Sequence, residues 1–427
     1  MDIYKTRRIN IMDLKDFYLI VKNKYDSSEL FKDFSLIINA QHKSGLKINL
    51  NNSTVESFVN NYSFFPTPTI SCGIITFNEE KNIECCLKSL NEKFDKIILL
   101  DSYSTDNTIN IVKEKFPEVK VFFSKWQNDF SKQRNKIIEL CLSDWIYFID
   151  ADNEYMSEDN EIRRIIKILN YLEIECVVSP LIIEHNGQFT EDNKRLIPLK
   201  KDIAFWGKIH EEPIYLKNSS YPLSFKSKLV VKHNGYNLNN YDLLEKNLRN
   251  NVLTKQMIHI EPSNFKWHYY MIRETQEISN NRDDIELLYK KVFGFSEFLC
   301  HEPYYLEIKL LWCEFLLKNN RFKELNEEII EMKPNFPDCL DLDYYQANLF
   351  LINSFMKTGK VIKHLEKLIK DSNDGKKFSG INSNNDHLKM TLVKLHFSVA
   401  NFSSALEYSE TILDKDLKKI TKEILTI

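Results

Sequence analysis

The run "SDWIYFIDADNEYMSED" (residues 143–159) ends an apolar, aromatic segment on Asp150 and Asp152, with only Ala151 between them. Two carboxylates so spaced suit Mg²⁺ or Mn²⁺, which take one or two protein carboxylates and fill the rest of their shell with water and a ligand's phosphate oxygens. The same pair could cap a helix or shape a turn. A calcium loop is a further oxygen-rich alternative, because Asp150, Asp152, Glu154 and Glu161 fall on its first, third, fifth and twelfth positions. Tyr155, however, stands where that loop needs glycine, and a strand precedes it, so the calcium reading is excluded.

The elements around this pair decide between the readings. "TISCGIITF" (69–77), "KIILLD" (96–101), "VKVFFS" (119–124) and "DWIYFID" (144–150) read as short buried strands. Between them "NEEKNIECCLKSL" (78–90), "STDNTINIVKEKF" (104–116) and "DFSKQRNKIIELCL" (129–142) carry helical periodicity. Strand–helix alternation implies crossover connections and a mostly parallel sheet, and ligands in such sheets bind beyond the carboxyl ends of the strands. Asn78 and Glu79, Asp101, and Asp150 all stand at such ends. A carboxylate at Asp101 with hydroxyls nearby suits a uridine's imide N–H and hydroxyls, while Ser104 and Asp106 also read as caps of the following helix. In "SKQRN", Arg134 and Asn135 offer a guanidinium for bidentate contact with a pyrophosphate, or a plain surface helix position.

Residues 1 to about 65 read as amphipathic helices, with Leu14, Phe17, Tyr18, Ile20 and Val21 at mixed three- and four-residue spacing. "FFPTPT" (64–69) ends them, because Pro66 and Pro68 push the residues before them into extended conformations. A second group of strands spans 175–236, and from about 240 the chain is helical to its end. These patterns give three expected parts: a helical segment over 1–65, an α/β domain over 66–240, and a helical domain over 241–427 resembling tetratricopeptide arrays. The helical domain would bind a peptide, form a dimer, or both.

The 427 residues carry 58 Lys plus Arg against 61 Asp plus Glu, a net charge of −3, which argues against a general nucleic-acid binder. No run of 18 apolar residues occurs, so no membrane span is expected. The charged start "MDIYKTRRINIMDLKDFYLIVKNKYD" has no secretory core. The eight cysteines form no CxxC and sit in apolar segments, with Cys85 and Cys86 read as helix packing. Reduced thiols in a cytoplasmic protein are the expectation.

Taken in order, "CGIITFNEEKNIECCLKSL", "ILLDSYSTDNT", "FSKQRN" and "YFIDADN" resemble the successive motifs of family-two glycosyltransferases with the GT-A fold, over residues 68–236. "FWGKIHEEP" (205–213), "KHNGYN" (232–237) and the helical tail are similar to the S-glycosyltransferases that modify glycocin bacteriocins, the sublancin type. The resemblance implies a Rossmann-like nucleotide-sugar domain and a UDP-sugar donor, UDP-glucose first. It implies donor contacts from Thr76, Asn78, Glu79, Asp101, Ser104, Arg134, Asn135, Asp150 and Ala151. Asp150 and Asp152 would be the DxD pair, Asp152 binding Mg²⁺ or Mn²⁺ directly with His233. The catalytic base would be Glu211 or Glu212; His210 departs from the family's acidic residue before the base, which leaves that choice open. "HEEPI" is not the HExxH of a zinc protease.

The implied reaction is inverting transfer of a hexose to a Cys, or Ser, side chain of a small Cys-rich bacteriocin precursor peptide. Rival readings are a glycan or lipid acceptor for the same catalytic domain, a sugar nucleotidyltransferase, and a helical-repeat interaction protein with a dead catalytic domain. The nucleotidyltransferase's glycine-rich loop is missing, since Gly73 stands alone. The joint presence of Asp101, Asp150, Asp152, Glu211 and His233 argues against a dead domain.

Overall fold

The computed structural model describes residues 11–426 apart from 52, 159, 185–186, 192, 200–201, 235–239, 279–280, 295–303 and 376. Cys300 and the Gly-Tyr-Asn of "KHNGYN" lie outside the described residues. The chain forms two compact units, divided between Arg282 and Asp283.

The first unit opens with a two-stranded antiparallel ribbon of β1 (Ile11–Asp13) and β2 (Lys47–Asn49), which the helical pattern of this segment does not announce. Between and after these strands come α1 (Leu14–Lys24), α2 (Glu29–Phe34) and α3 (Val55–Asn61). The Asp13 carboxylate caps α1 by accepting from the Lys15 amide. Helix α1 buries Leu14, Phe17, Tyr18 and Val21, one stripe at three- and four-residue spacing.

The α/β region then runs β3 (Ile70–Thr76), α4 (Ile83–Leu90), β4 (Lys96–Asp101), α5 (Thr108–Lys115), β5 (Lys120–Phe123), α6 (Phe130–Leu140) and β6 (Trp145–Asp150). It continues with β7 (Asn153–Tyr155), α7 (Glu161–Tyr171), β8 (Val177–Ile183), β9 (Phe189–Thr190) and β10 (Leu196–Pro198). It closes with β11 (Ile203–Trp206), β12 (Glu212–Tyr215) and β13 (Ser224–His233). The main sheet has the order β5-β4-β3-β6-β10-β8-β13-β7, with β9 paired to β8. Strands β5, β4, β3 and β6 are parallel, and their register sets Thr76 beside Asp101 and Ile75 beside Asp150. Three strand ends carrying polar residues therefore share one edge. This is the GT-A-like arrangement of a largely parallel sheet flanked by helices.

Past β6 the sheet changes direction. Strand β10 runs antiparallel to both β6 and β8, and the Arg195 carbonyl accepts from the Phe148 amide. Strand β7 folds back from the Asp150–Asp152 corner to pair with β13, setting His233 opposite Asn153. Strands β11 and β12 form a separate ribbon whose turn, residues 207–211, lies between Trp206 and its partner Glu212. Helices α8 (Asn240–Ile260) and α9 (Phe265–Ile278) complete the unit.

Among the described residues the second unit is all helical: α10 (Arg282–Phe293), α11 (Tyr305–Lys318), α12 (Phe322–Met332), α13 (Leu340–Asn373), α14 (Asp386–Ser398), α15 (Phe402–Glu410) and α16 (Lys415–Leu425). Cys313, Leu316, Leu325, Ile329, Met332, Leu342 and Leu349 make one core, and Val393, Ala405 and Ile412 a smaller one. Helix α13 runs unbroken for 34 residues.

Candidate active site at the strand ends

Helical periodicity suggests that the helices after β3 and β4 begin at once, but both start later, at Ile83 and Thr108. The polar residues in between bond across to each other instead. Asp101, fully buried, accepts from the Ser104 amide (2.8 Å) and hydroxyl (2.5 Å). The Ser104 Oγ accepts in turn from the Asn78 amide, 2.8 Å. Asn78, in the left-handed region at φ 55°, accepts at its side-chain oxygen from the Thr105 amide. The Thr108 hydroxyl accepts from the Glu79 amide, and Asp106 from the amides of Glu80 and Thr108. Ser104 is thus a strut between two loops. Thr76 is buried at the end of β3, and its Oγ1 has no hydrogen-bond partner among the described residues.

Asp150 ends β6 with both carboxylate oxygens engaged. Arg134 Nη2 donates to one at 2.9 Å and Arg195 Nη2 to the other at 3.1 Å. The same two guanidiniums hold Glu211: Arg134 Nε donates to Oε1 at 2.5 Å, and Arg195 Nη1 approaches it at 3.4 Å. Two cations and two anions form a closed ring joining β6, α6, the segment before β10 and the β11–β12 turn. Burial alone raises the pKa of Asp150 and of Glu211, but the guanidiniums outweigh it and hold both below the usual carboxylate range. Arg134 also lies over the Phe148 and Phe205 rings, and its buried Nη1 has no partner among the described residues. Asn135 is tied to the backbone: it donates to the Phe205 carbonyl and accepts from the Phe205 amide, pinning β11 to α6.

The second half of the corner has different chemistry. His233 Nε2 stands 3.1 Å from Asp152 Oδ2, and Nδ1 stands 2.7 Å from Glu184 Oε2. Donation from the ring to Asp152, then to Glu184, lifts this imidazole's pKa to about 9 against the opposing effect of burial. A divalent cation between Asp152 and Nε2 would replace that second proton, with Glu184 accepting from Nδ1–H as an outer-shell carboxylate that fixes the ring. The donor set therefore fits Mg²⁺ or Mn²⁺ at Asp152 and His233, with the remaining positions left for water and phosphate. Asp150, committed to two arginines, supplies charge here rather than a spare oxygen. Among the described residues no group of three or more His, Cys, Asp or Glu is arranged to hold a metal by itself. Negative charge is concentrated at this end: the Glu79 carboxyl is raised first by burial and then by Asp152, Asp106 and Asp150. Ala151 is buried between the two aspartates. Beneath them Cys86 packs in the core, 3.7 Å from the Asp150 carbonyl, its thiol pushed up first by burial and then by both aspartates, while Cys85 is exposed.

The two candidate bases point to different partners, as neighbours at a strand start must. Glu211 joins the ring with Asp150. Glu212 is held between Lys194 and Lys266, the latter at 2.5 Å. His210, at φ 50°, turns its ring away from Glu211 to stack on Tyr270, with centroids 3.5 Å apart and planes 6° apart. His210 Nε2 lies 2.8 Å from Glu274 Oε1. Burial, then Arg273, depresses His210 to about 3, and burial lifts Glu274 to about 7. The pair therefore shares a single proton across the intervening range.

Arg195, Lys194, Glu184, Lys266 and Glu274 were not singled out by motif. Arg195 stands just before the short apolar "LIP" of a charge-rich stretch, where a Lys-Arg pair beside a short buried strand was the available signal. Lys266 and Glu274 lie in "FKWHYYMIRETQEI", where two charges inside an apolar helix stripe point to buried ion pairs. Glu184 had no local signal, since only the parallel pairing of β8 with β13 brings it to His233.

Residues 71–246 match the family described as Glycosyl transferase family 2. The SPbeta prophage-derived glycosyltransferase SunS of Bacillus subtilis (strain 168) is 36% identical over 416 residues, covering 97% of this chain and 96% of that protein. An uncharacterized glycosyltransferase of Rickettsia conorii is 32% identical over 226 residues, covering 45% of this chain and 77% of that protein. Among solved structures, S. aureus TarS 1-349 in complex with UDP-GlcNAc covers 65% of this chain and 89% of its own, at 15% identity and a TM-score of 0.32.

Proposed function

This chain belongs to glycosyltransferase family 2, as a relative of the SunS glycosyltransferases, and from that premise we propose an inverting peptide S-glycosyltransferase. The donor is a UDP-sugar, UDP-glucose first. The acceptor is a cysteine, or a serine, of a small bacteriocin precursor peptide, as in the sublancin-type enzymes that the motifs resemble. The helical second unit is proposed to bind that peptide or to form a homodimer. The observation that carries the reading is the ring of Arg134, Arg195, Asp150 and Glu211, which ties a buried carboxylate to the aspartate corner at the sheet edge.

In this reading Asp101, Ser104, Asn78 and Thr76 line the nucleoside end, with the Asp101 carboxylate fixed before a ligand arrives. Arg134 keeps Nη1 without a partner among the described residues, a donor that the diphosphate would take up once the site opens to it. Asp152 and His233 would hold Mg²⁺ or Mn²⁺, which neutralises charge growing on the departing diphosphate. Glu211, which shares its two arginines with Asp150 at the sheet edge, rather than Glu212, held between Lys194 and Lys266, takes the acceptor's proton as the nucleophile attacks the anomeric carbon and the bond to UDP breaks. Glu211 is held ionised and weakly basic by two guanidiniums. Such a base is far better matched to a thiol of pKa about 8.5 than to an alcohol, which favours cysteine.

The test is mass spectrometry of candidate Cys-containing precursor peptides incubated with UDP-glucose and Mn²⁺, alongside Glu211→Gln and Asp152→Ala. The reading expects a hexose on cysteine with the wild type and little with either variant. Full-rate transfer by Glu211→Gln would remove the base assignment, and by Asp152→Ala the metal assignment.

A further inference from the structure

Helix α9 lies beyond the residues that match the family, which end at 246. Its side chains nevertheless reach the turn that carries Glu211. Lys266, Tyr270 and Glu274 recur every fourth residue and so form one stripe along the helix. Lys266 Nζ donates to Glu212 at 2.5 Å, Tyr270 stacks face to face on His210, and Glu274 bonds His210 Nε2. The residues immediately before and after Glu211 are therefore each gripped by this helix. Trp267 adds a fourth contact: a Cβ placed on Gly207 would meet its Cη2 at 2.8 Å, so the indole closes directly on the turn's first residue.

This stripe is tightly fixed. Lys266 and Glu274 are each only 2% exposed, values at which an ordinary surface lysine or glutamate is never found unless paired. The Trp267 Nε1 donates to Glu261, tying the helix start to its own N-terminal loop. His210 sits in the left-handed region, and Gly207 at φ +114°, so the turn has a backbone path that needs outside support.

We infer that α9 is a clamp that sets the position of Glu211, with Lys266, Tyr270 and Glu274 as positioning residues acting through Glu212 and His210. The inference rests on Glu211 being the base. A base must lie within hydrogen-bond reach of the proton it takes, and a misplacement of about 1 Å costs on the order of 100-fold in rate. The clamp therefore acts on turnover and leaves donor binding, which belongs to the strand-end loops, in place.

The experiment uses the full chain and the variants Glu274→Ala, Lys266→Met, Tyr270→Leu and Glu274→Gln. Hydrogen exchange of the 207–212 amides is measured without substrate, and kcat and donor KM are measured with a peptide acceptor and UDP-glucose. Glu274→Ala and Lys266→Met should speed exchange in the turn about tenfold. They should lower kcat on the order of 100-fold with donor KM within about twofold. Glu274→Gln, which keeps a hydrogen-bonding group for His210, should recover most of both. Tyr270→Leu, on a half-buried residue, should fold in any case and show the same split more weakly. Unchanged kcat in these variants, whether or not the turn opens, overturns the inference, as does an equal rise in donor KM. Glu211→Gln run in parallel separates the two readings: full transfer there removes the base, whereas loss of transfer there with wild-type kcat in the α9 variants removes the clamp alone.

Discussion

Arg195→Met is the most searching perturbation of the site, because it breaks the charge ring on one side only. The ring is neutral: Arg134 and Arg195 against Asp150 and Glu211. Removing Arg195 leaves Asp150 Oδ2 without its 3.1 Å partner and gives the cluster a net negative charge. At an effective dielectric constant of about 20, one such pair at that distance attracts by about 5 kcal/mol. Two features reduce the loss. Asp150 keeps Arg134 at 2.9 Å, and 38% of its side chain is open to solvent, which screens it. About 3 kcal/mol of lost stability is the expectation, at the low end for a broken buried pair. Asp150→Asn leaves the opposite imbalance and should cost a similar amount. The double variant restores neutrality, so the two losses should fall short of additivity by about 1.5–3 kcal/mol. Urea unfolding of the four proteins measures the cycle. An Arg195→Met midpoint equal to wild type, or strictly additive losses, would show that the ring is an exposed, screened arrangement with no bearing on the fold.

Other outcomes follow from single positions. Gly207→Ala should cost about 2–4 kcal/mol, the sum of left-handed strain and an overlap with Trp267, and a neutral effect in urea unfolding would refute the turn's geometry. The His210–Glu274 pair keeps one proton between about pH 3 and 7, whereas in the unfolded chain Glu274 loses its proton near 4.5. The raised Glu274 pKa thus lowers stability as pH rises from 4.5 to 7, and Glu274→Gln should gain on wild type by about 3 kcal/mol over that window; parallel stability–pH curves would refute it. Asp152→Asn and His233→Ala should each weaken Mn²⁺ binding at least tenfold in calorimetric titration, and Glu184→Gln by a smaller factor, while equal affinity in all of them would place the metal elsewhere.

Much of this was legible in the chain itself, for identifiable reasons. Parallel strands buried on both faces must be apolar and must end on something polar. "KIILLD" and "DWIYFID" therefore announce both the sheet and the positions of Asp101 and Asp150. Helix onsets were less legible: Asn78 to Asn82 and Ser104 to Asn107 fit a helical period, yet their side chains bond across the two loops. The ribbon of β1 and β2 was hidden because three-residue strands leave almost no periodic trace.

The residue types at the strand ends can be read along the chain, because local pattern follows from spacing within a segment. How those residues divide their work depends on contacts made across the fold. Glu211 and Glu212 are adjacent and chemically identical, and they differ because one meets two arginines while the other meets two lysines. Asp150 and Asp152 differ likewise, one answered by guanidiniums and the other by an imidazole 81 residues on. Electrostatic environment is a property of which distant segments the fold brings within a few ångströms, and no spacing within one segment encodes it.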